Sequence, residues 1–483
     1  MAGDTPEKRA DRPNVIFIMT DQERYDTIGA LGFPWMKTPN LDRLMHEGVS
    51  FDRCFCTAPS CAPARASLFC GDWPHRAGVL RNGHHWQLPS WIEQFRDAGY
   101  HTINLGKMHT QPVDDACGFT QRFIVENKDR PLWASIGGYY YDEWQRFLFQ
   151  NGVKFPDREW YRSEHPDYET GLGAYPWPLE ERYHPDQYVG DLACWFIDQW
   201  PSKDPMFLQI GFPGPHPPYD PPQRYIDMYD DVDIPVPDVT REELDGQPWP
   251  QQSYRKEMVE GNHDAVKWHD QPSKEQLRRL RKHYAANMTL IDEQIGRIIA
   301  KLREKGYLDN AIIVFTSDHG DNLGDHGHIQ KWTFYDEIIR MPTIAWAPGR
   351  LPAGERYDGM IEQFDIAAML LEFAGMRLQE SSPARSAADL VHGTWAGRDA
   401  VFAEHGPDAL QHEVDYMHMV RTDRWKLVRY KERDFGELYD LESEAGETRN
   451  LWDDPEYRDV KLELLAKLLD LHAPPTKQAP RSA

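Results

Sequence analysis

A chain of 483 residues exceeds what one hydrophobic core organises, since single cores stop growing at roughly 250–300 residues, so two unequal domains are expected. The composition, 40% hydrophobic with 17 tryptophans and 37 prolines, is globular, and a net charge of −24 excludes a protein that tracks phosphate backbones with clustered Lys and Arg. The amino terminus shows no apolar stretch long enough for a signal peptide or membrane span, and six cysteines are too few for a disulfide framework, so a cytoplasmic protein is expected.

In chain order, NVIFIMTD (Asn14 to Asp21) is a continuous apolar run ending in an acid, the pattern of a buried parallel strand running into a loop. TPNLDRLMHEG follows as a helix, with Thr38 as N-cap, Pro39 at the first helical position, Leu41, Leu44 and Met45 facing inward and Gly48 as the stop. Strand-like runs recur at HTINLGK (101–107), MFLQIGF (206–212), AIIVFTSD (311–318) and PTIAWAP (342–348). The longest helical pattern runs from Ser273 to Lys305, with Ser273 and Gln276 as a capping box and an apolar stripe from Leu277 to Leu302. Alternating strands and helices predict a mostly parallel sheet covered on both faces, with functional groups at the carboxyl ends of its strands.

Two regions depart from this alternation. Residues 133–187 are crowded with Trp, Tyr, Pro and Gly without a clear period, as expected of an insertion folding over a site. Beyond 381, VFAEHG, YMHMVRTDRWKLVRY and ELYDL read as short antiparallel strands and Val460 to Leu471 as a closing helix. The expected division is therefore a catalytic domain at 1–380 and a smaller α+β domain at 381–483, joined at SSPARSAAD.

Chemistry-bearing residues collect at the strand ends. Asp21 with Gln22, and Asp318 with His319, would share one crevice in a parallel sheet, and two carboxylates, an amide oxygen and an imidazole form a divalent-cation donor set. Each acid alone reads equally well as an N-cap or a solvated strand end. The loop SDHGDNLGDHGH adds Asp321, Asp325, His326 and His328 to Asp318 and His319. Cys61, in CAPARASLFCG, has three readings: a small buried hydrophobe, a zinc ligand with Cys54, Cys56 and Cys70, or a thiolate activated by Arg65 and a helix amino terminus. The spacing of the four cysteines lacks the two close pairs that a zinc site wants.

Cys61-Ala-Pro-Ala-Arg65, with Gly71 following, resembles the signature of the sulfatase family, in which the cysteine is oxidised to formylglycine. The resemblance extends along the chain through VIFIMTDQ, TPNLDRLMHEGVSF, GKMH, GPHPPY, SDHGDNLGDHG, KWTFYDE and ELYDLESEAGETRNLW. It implies an alkaline-phosphatase-like α/β fold and one divalent metal held by Asp21, Gln22, position 61, Asp318 and His319. It further implies a hydrated aldehyde at position 61 as nucleophile, charge on the transferred group offset by Lys107, Lys331 and Arg65, and contact with that group by Asn82. His216 or Lys331 would protonate the leaving alcohol, and His109 would help to deprotonate the second hydroxyl. The oxygen-rich set implies calcium, and His319 shifts weight toward manganese or another softer ion.

Many sulfatases carry Asp-Asp and Asp-Asn where this chain has Asp21-Gln22 and Asp318-His319. Both variants resemble the related phosphonate monoester hydrolases, whereas Lys107 and His109 resemble sulfatases. The implied substrate is a small sulfate ester, with phosphonate or phosphate esters as the alternative, and a binding protein that does not turn over its ligand as a third reading. A formylglycine-generating enzyme is an implied partner, and a homo-oligomer is expected. His84, His85 and Trp86 read as packing or pocket lining, and the acid pairs Asp114-Asp115 and Asp230-Asp231 as solvated faces.

Overall fold

The computed structural model describes residues 12–130, 132–261, 263–408, 414–443 and 446–471. Its centre is an eight-stranded sheet in the order Glu355–Tyr357, Val49–Phe51, Ile344–Trp346, Ala311–Ser317, Asn14–Asp21, Met206–Pro215, His101–Gly106, Gln121–Ile124. The five strands from Ala311–Ser317 to Gln121–Ile124 run parallel, as the alternation predicts. Their side chains are almost all buried because helices cover both faces.

Ile344–Trp346 differs from expectation: it is antiparallel to both of its neighbours. The chain leaves Ala311–Ser317 at its carboxyl end, folds the 318–341 loops there, and re-enters the sheet from that same end. No crossover helix returns it to the start, so the strand must run backwards.

The long helix Lys274–Glu304 carries the expected capping box, and its whole apolar stripe, Leu277 through Leu302, is buried. Pro39–Glu47 also forms as expected, although Thr38 does not cap through its side chain; its hydroxyl accepts from the Gly29 N–H and donates to Asp42 instead. The aromatic insertion contains the two-stranded Leu132–Trp133/Tyr139–Tyr140 ribbon and the helices Glu143–Gln150 and Arg158–Glu164.

A second, four-stranded antiparallel sheet follows in simple meander order: Val401–His405, Met417–Arg421, Trp425–Tyr430, Gly436–Asp440. Arg458–Leu471 closes the chain against it through Leu464 and Leu468. At the expected join, Ala387, Ala388 and Leu390 pack into the main core. Among the described residues, no helix is long and apolar enough to cross a membrane.

Candidate active site

Four of the parallel strands deliver chemistry at one edge of the sheet. Asp21 ends Asn14–Asp21, Lys107 follows His101–Gly106, His216 follows Met206–Pro215, and Asp318 follows Ala311–Ser317. Two of these strands come unusually close where the site begins. A Cβ on Gly106 would lie 2.0 Å from the Gly211 carbonyl oxygen, and one on Gly211 would lie 2.0 Å from that of Lys107. Only glycine permits this approach, and the Lys107 N–H donates to Gly211 across it.

Cys61 opens the helix Cys61–Cys70, one of the readings its sequence context allowed. Gly71 ends that helix in the left-handed conformation (φ 70°), its N–H returning to the Ser67 carbonyl. The zinc alternative is corrected by position: Cys70 lies at the far end of the helix, bonded to the Leu88 carbonyl, while Cys54 and Cys56 sit in separate parts of the core. The metal-ligand cluster found among the described residues is instead Asp21, Cys61, Asp318 and His319, whose donor atoms all lie within 4.8 Å of one another.

These side chains are wholly buried, and their charges are matched in detail. Arg65 donates from Nε to Asp318 Oδ2 (2.7 Å) and from Nη2 to Asp21 Oδ2 (3.4 Å), while Lys107 Nζ lies 2.6 Å from the same Asp21 oxygen. Burial would raise the Asp21 pKa, but Lys107 and Arg65 hold it well below the usual carboxylate range. Removing one partner of a pair as buried as Arg65–Asp318 costs about 3–5 kcal/mol, so Arg65 is structural as well as electrostatic.

His319 places Nδ1 2.9 Å from the Gly320 carbonyl, which fixes that nitrogen as the donor and turns Nε2 toward Cys61 Sγ at 3.0 Å. Lys331 Nζ also lies 3.0 Å from Cys61 Sγ and 3.0 Å from Gln22 Oε1. Gln22, at φ 70°, is thus committed to Lys331 through its oxygen and to Asp321 through its nitrogen (2.6 Å). Burial and Asp21 push the Cys61 thiol up, yet Lys331 and His319 outweigh them and bring it below its ordinary value.

The remaining expected residues are close by. His109 has a left-handed backbone (φ 59°) held by its N–H on both Glu126 oxygens at 3.0 Å, and its buried Nδ1 has no hydrogen-bond partner among the described residues. Burial, reinforced by Lys107 and Arg130, keeps its imidazole neutral. His216 donates from Nδ1 to the Pro217 carbonyl (2.8 Å) and points Nε2 toward Asp264 (3.9 Å); burial and Lys331 hold it neutral too. Asn82 Oδ1 accepts from the Ala62 N–H at 3.1 Å, so it secures the first turn of the Cys61 helix.

The glycine-rich loop sends only Asp318 and His319 into the cluster. Beyond His319 its acids and histidines are structural: Asp321 accepts from Tyr219 and Gln22, Asp325 pairs with Arg24 and Arg281, His326 with Glu243, and His328 with Gln251. Trp86 is packing, stacked on Phe69. Asp264, Glu126 and His405 were missed. His405 Nε2 reaches the Ser60 hydroxyl at 3.0 Å from the second sheet, a pairing with no local sequence signal. That sheet also grips the Lys331 loop: buried Lys426 Nζ donates to the Phe334 carbonyl, to Asp336 (2.6 Å) and to Glu447 (2.5 Å).

The sulfatase family model matches residues 13–376, spanning every element that feeds the site. The chain belongs to the sulfatase family. A second model, N-sulphoglucosamine sulphohydrolase, C-terminal, matches residues 324–474. Similar proteins include an arylsulfatase of Clostridium perfringens (31% identical, covering 95% of this chain and 94% of that one) and a choline-sulfatase of Rhizobium meliloti (29%, 92% and 83%). Among solved structures, a phosphonate monoester hydrolase from Silicibacter pomeroyi superposes with a TM-score of 0.78 at 25% identity, covering 95% of both chains. The alkaline-phosphatase-like fold expected from sequence is thereby established, and membership of this family makes the chain a hydrolase of sulfate or phosphonate esters.

Proposed function

We propose that the protein hydrolyses small sulfate esters using a formylglycine made from Cys61 and one divalent metal ion. The observation that carries this reading is the cluster of Asp21, Cys61, Asp318 and His319, with Lys331 3.0 Å from Cys61 Sγ. The sulfur stands where the modified side chain would present oxygen, and two carboxylates, an imidazole and that oxygen fit a divalent ion. Such an ion, when bound, supplies Lewis-acid polarisation of a non-bridging oxygen.

The chain's own groups divide the remaining work. Attack from position 61 forms a bond to sulfur, and the leaving alcohol departs with its electron pair. Lys331, which stays protonated and lies 3.0 Å from Cys61 Sγ, is the better placed proton donor for that oxygen, whereas His216 is held neutral. In the second half, His109 Nδ1 takes the proton of the remaining hydroxyl, the carbonyl at position 61 reforms, and sulfate leaves. Its free, buried nitrogen suits that base. Lys107 and Arg65 hold Asp21 and Asp318 in place throughout.

Phosphonate monoester hydrolysis is the second reading, favoured by Gln22 and His319 and by the superposition on a phosphonate monoester hydrolase. The ratio of catalytic efficiencies on an aryl sulfate and an aryl methylphosphonate separates the two. The proposal extends to a cytoplasmic location, consistent with six unpaired cysteines, to a formylglycine-generating partner, and to self-association through the insertion, where Ile136, Tyr139 and Phe149 are exposed.

The mass of the tryptic peptide Cys54 to Arg65 tests the central claim. Replacement of the CH2SH side chain by an aldehyde at position 61 is the expected result. A peptide that is wholly thiol in catalytically active protein would sink the proposal.

A further inference from the structure

Glu126 gives both of its carboxylate oxygens to main-chain groups of the turn that carries His109. The Met108 N–H donates to Oε1 at 3.2 Å, and the His109 N–H is shared between Oε1 and Oε2, each at 3.0 Å. Two successive N–H groups converging on one carboxylate form an anion nest, here filled from within the protein by a side chain that is 2% exposed.

The nest holds a turn that few chains keep unaided. His109 has φ 59°, in the left-handed region that residues other than glycine seldom enter. Just before it, the Lys107 carbonyl accepts from Arg65 Nη1 and Gln209 Nε2, both at 3.3 Å, and the Met108 side chain is buried in the core. His109 leaves that core half-buried, with Nδ1 enclosed and without a hydrogen-bond partner among the described residues. Glu126 is itself located by the insertion. Its N–H donates to Asp142 Oδ2 at 3.0 Å, while Asp142 Oδ1 caps the helix Glu143–Gln150 by accepting from the Gln145 N–H at 2.9 Å. The first helix of the insertion thus reaches His109 through two buried carboxylates, Asp142 and Glu126.

We propose that Glu126 is a positioning residue for the second half of the reaction: its carboxylate fixes the left-handed turn at His109 and so aims the imidazole at the hydroxyl remaining on position 61. The inference rests on the formylglycine reading and on the part given there to His109, and deepens both. In that step the imidazole takes the hydroxyl proton, and the oxygen's freed electron pair forms the second bond of the aldehyde. The bond from that carbon to the sulfate oxygen breaks, its pair leaving with sulfate. Glu126 exchanges no proton and touches no reacting atom. Its loss should therefore slow this half while sparing the first, which depends on position 61 and Lys331.

The test mixes full-length protein, with position 61 converted, rapidly with 4-nitrophenyl sulfate or 4-nitrophenyl methylphosphonate, whichever wild type hydrolyses. E126A should release a burst of about one nitrophenolate per converted site, the mark of a covalent intermediate that forms faster than it breaks down. The steady rate that follows should lie about 10²-fold below wild type, the scale of misplacing a catalytic group by an ångström. KM should fall with kcat, so that kcat/KM stays within about threefold of wild type. H109A should behave alike. E126D keeps the charge but draws it back from the two N–H groups; it should show the same burst in milder form, and it decides the matter if E126A folds poorly. A burst in H109A but in neither Glu126 variant, or kcat/KM falling along with kcat in both, would overturn the proposal and leave the part of His109 intact. If H109A gives no burst, that part fails and this inference with it. If wild type turns over neither substrate, the hydrolase reading itself fails, and the inference falls too.

Discussion

Lys331 Nζ and Cys61 Sγ lie 3.0 Å apart, both fully enclosed, although 270 residues separate them in the chain. The ammonium is held there by Gln22 on one side and lies over the Trp332 ring at 5.5 Å on the other.

Under the proposed mechanism, a cation so placed would stabilise charge that develops only as the ester bond breaks. K331A is expected to lower kcat by about 10²–10³-fold, in the range of losing one preorganised electrostatic donor. Steady-state kinetics alongside far-UV circular dichroism would check this. K331R should recover little, because a planar fork does not fit the gap between Cys61 and Gln22.

His319 presents a nitrogen to a cluster whose other donor atoms are the carboxylate oxygens of Asp21 and Asp318 and the Cys61 sulfur. Dialysis against a chelator should abolish turnover, and adding back single ions should restore it. In H319N the order of reactivation should move from manganese toward calcium, since an amide oxygen is the harder ligand. An unchanged order in the variant would show that His319 does not touch the ion.

The pair His326–Glu337 gives a pH dependence of stability. His326 is raised to about 10 against the cost of burial by Glu243 and Glu337, and Glu337 is lowered to about 2, again against burial, by His326 and Arg24. A raised histidine contributes fully below its unfolded value of 6.5 and loses that contribution as pH climbs through 10; a lowered carboxylate contributes above 4.5 and loses it as pH falls through 2. The melting temperature of H326Q should therefore fall furthest below wild type near pH 5–6, by about 2–4 °C for each kcal/mol lost in smaller domains, and the gap should close on the alkaline side.

The sheet was legible because its strands are apolar runs ending in acids, and the long helix because its stripe and capping box repeat at helical spacing. Asp21, Cys61, Asp318 and His319 could be placed together on strand-end logic and on the signature. What could not be read was pairing at long range. Asp318 follows an apolar strand directly, but nothing local shows that Asp325, further along the same loop, neutralises Arg24 and Arg281. The reversal of Ile344–Trp346 was hidden for a related reason: a strand's direction depends on the end at which the preceding loop finishes.

The grip of Lys426 on the Lys331 loop also orders events in time. Cys61 emerges from the ribosome long before Asp318, His319 and Lys331, the residues that seal it in, and the strand that steadies their loop is made later still. Under the proposed conversion of Cys61, a modifying enzyme would have most of the period of synthesis in which to reach the side chain. On that proposal, docking of the carboxyl-terminal sheet would close the window, and a cysteine passed over by then would stay a thiol.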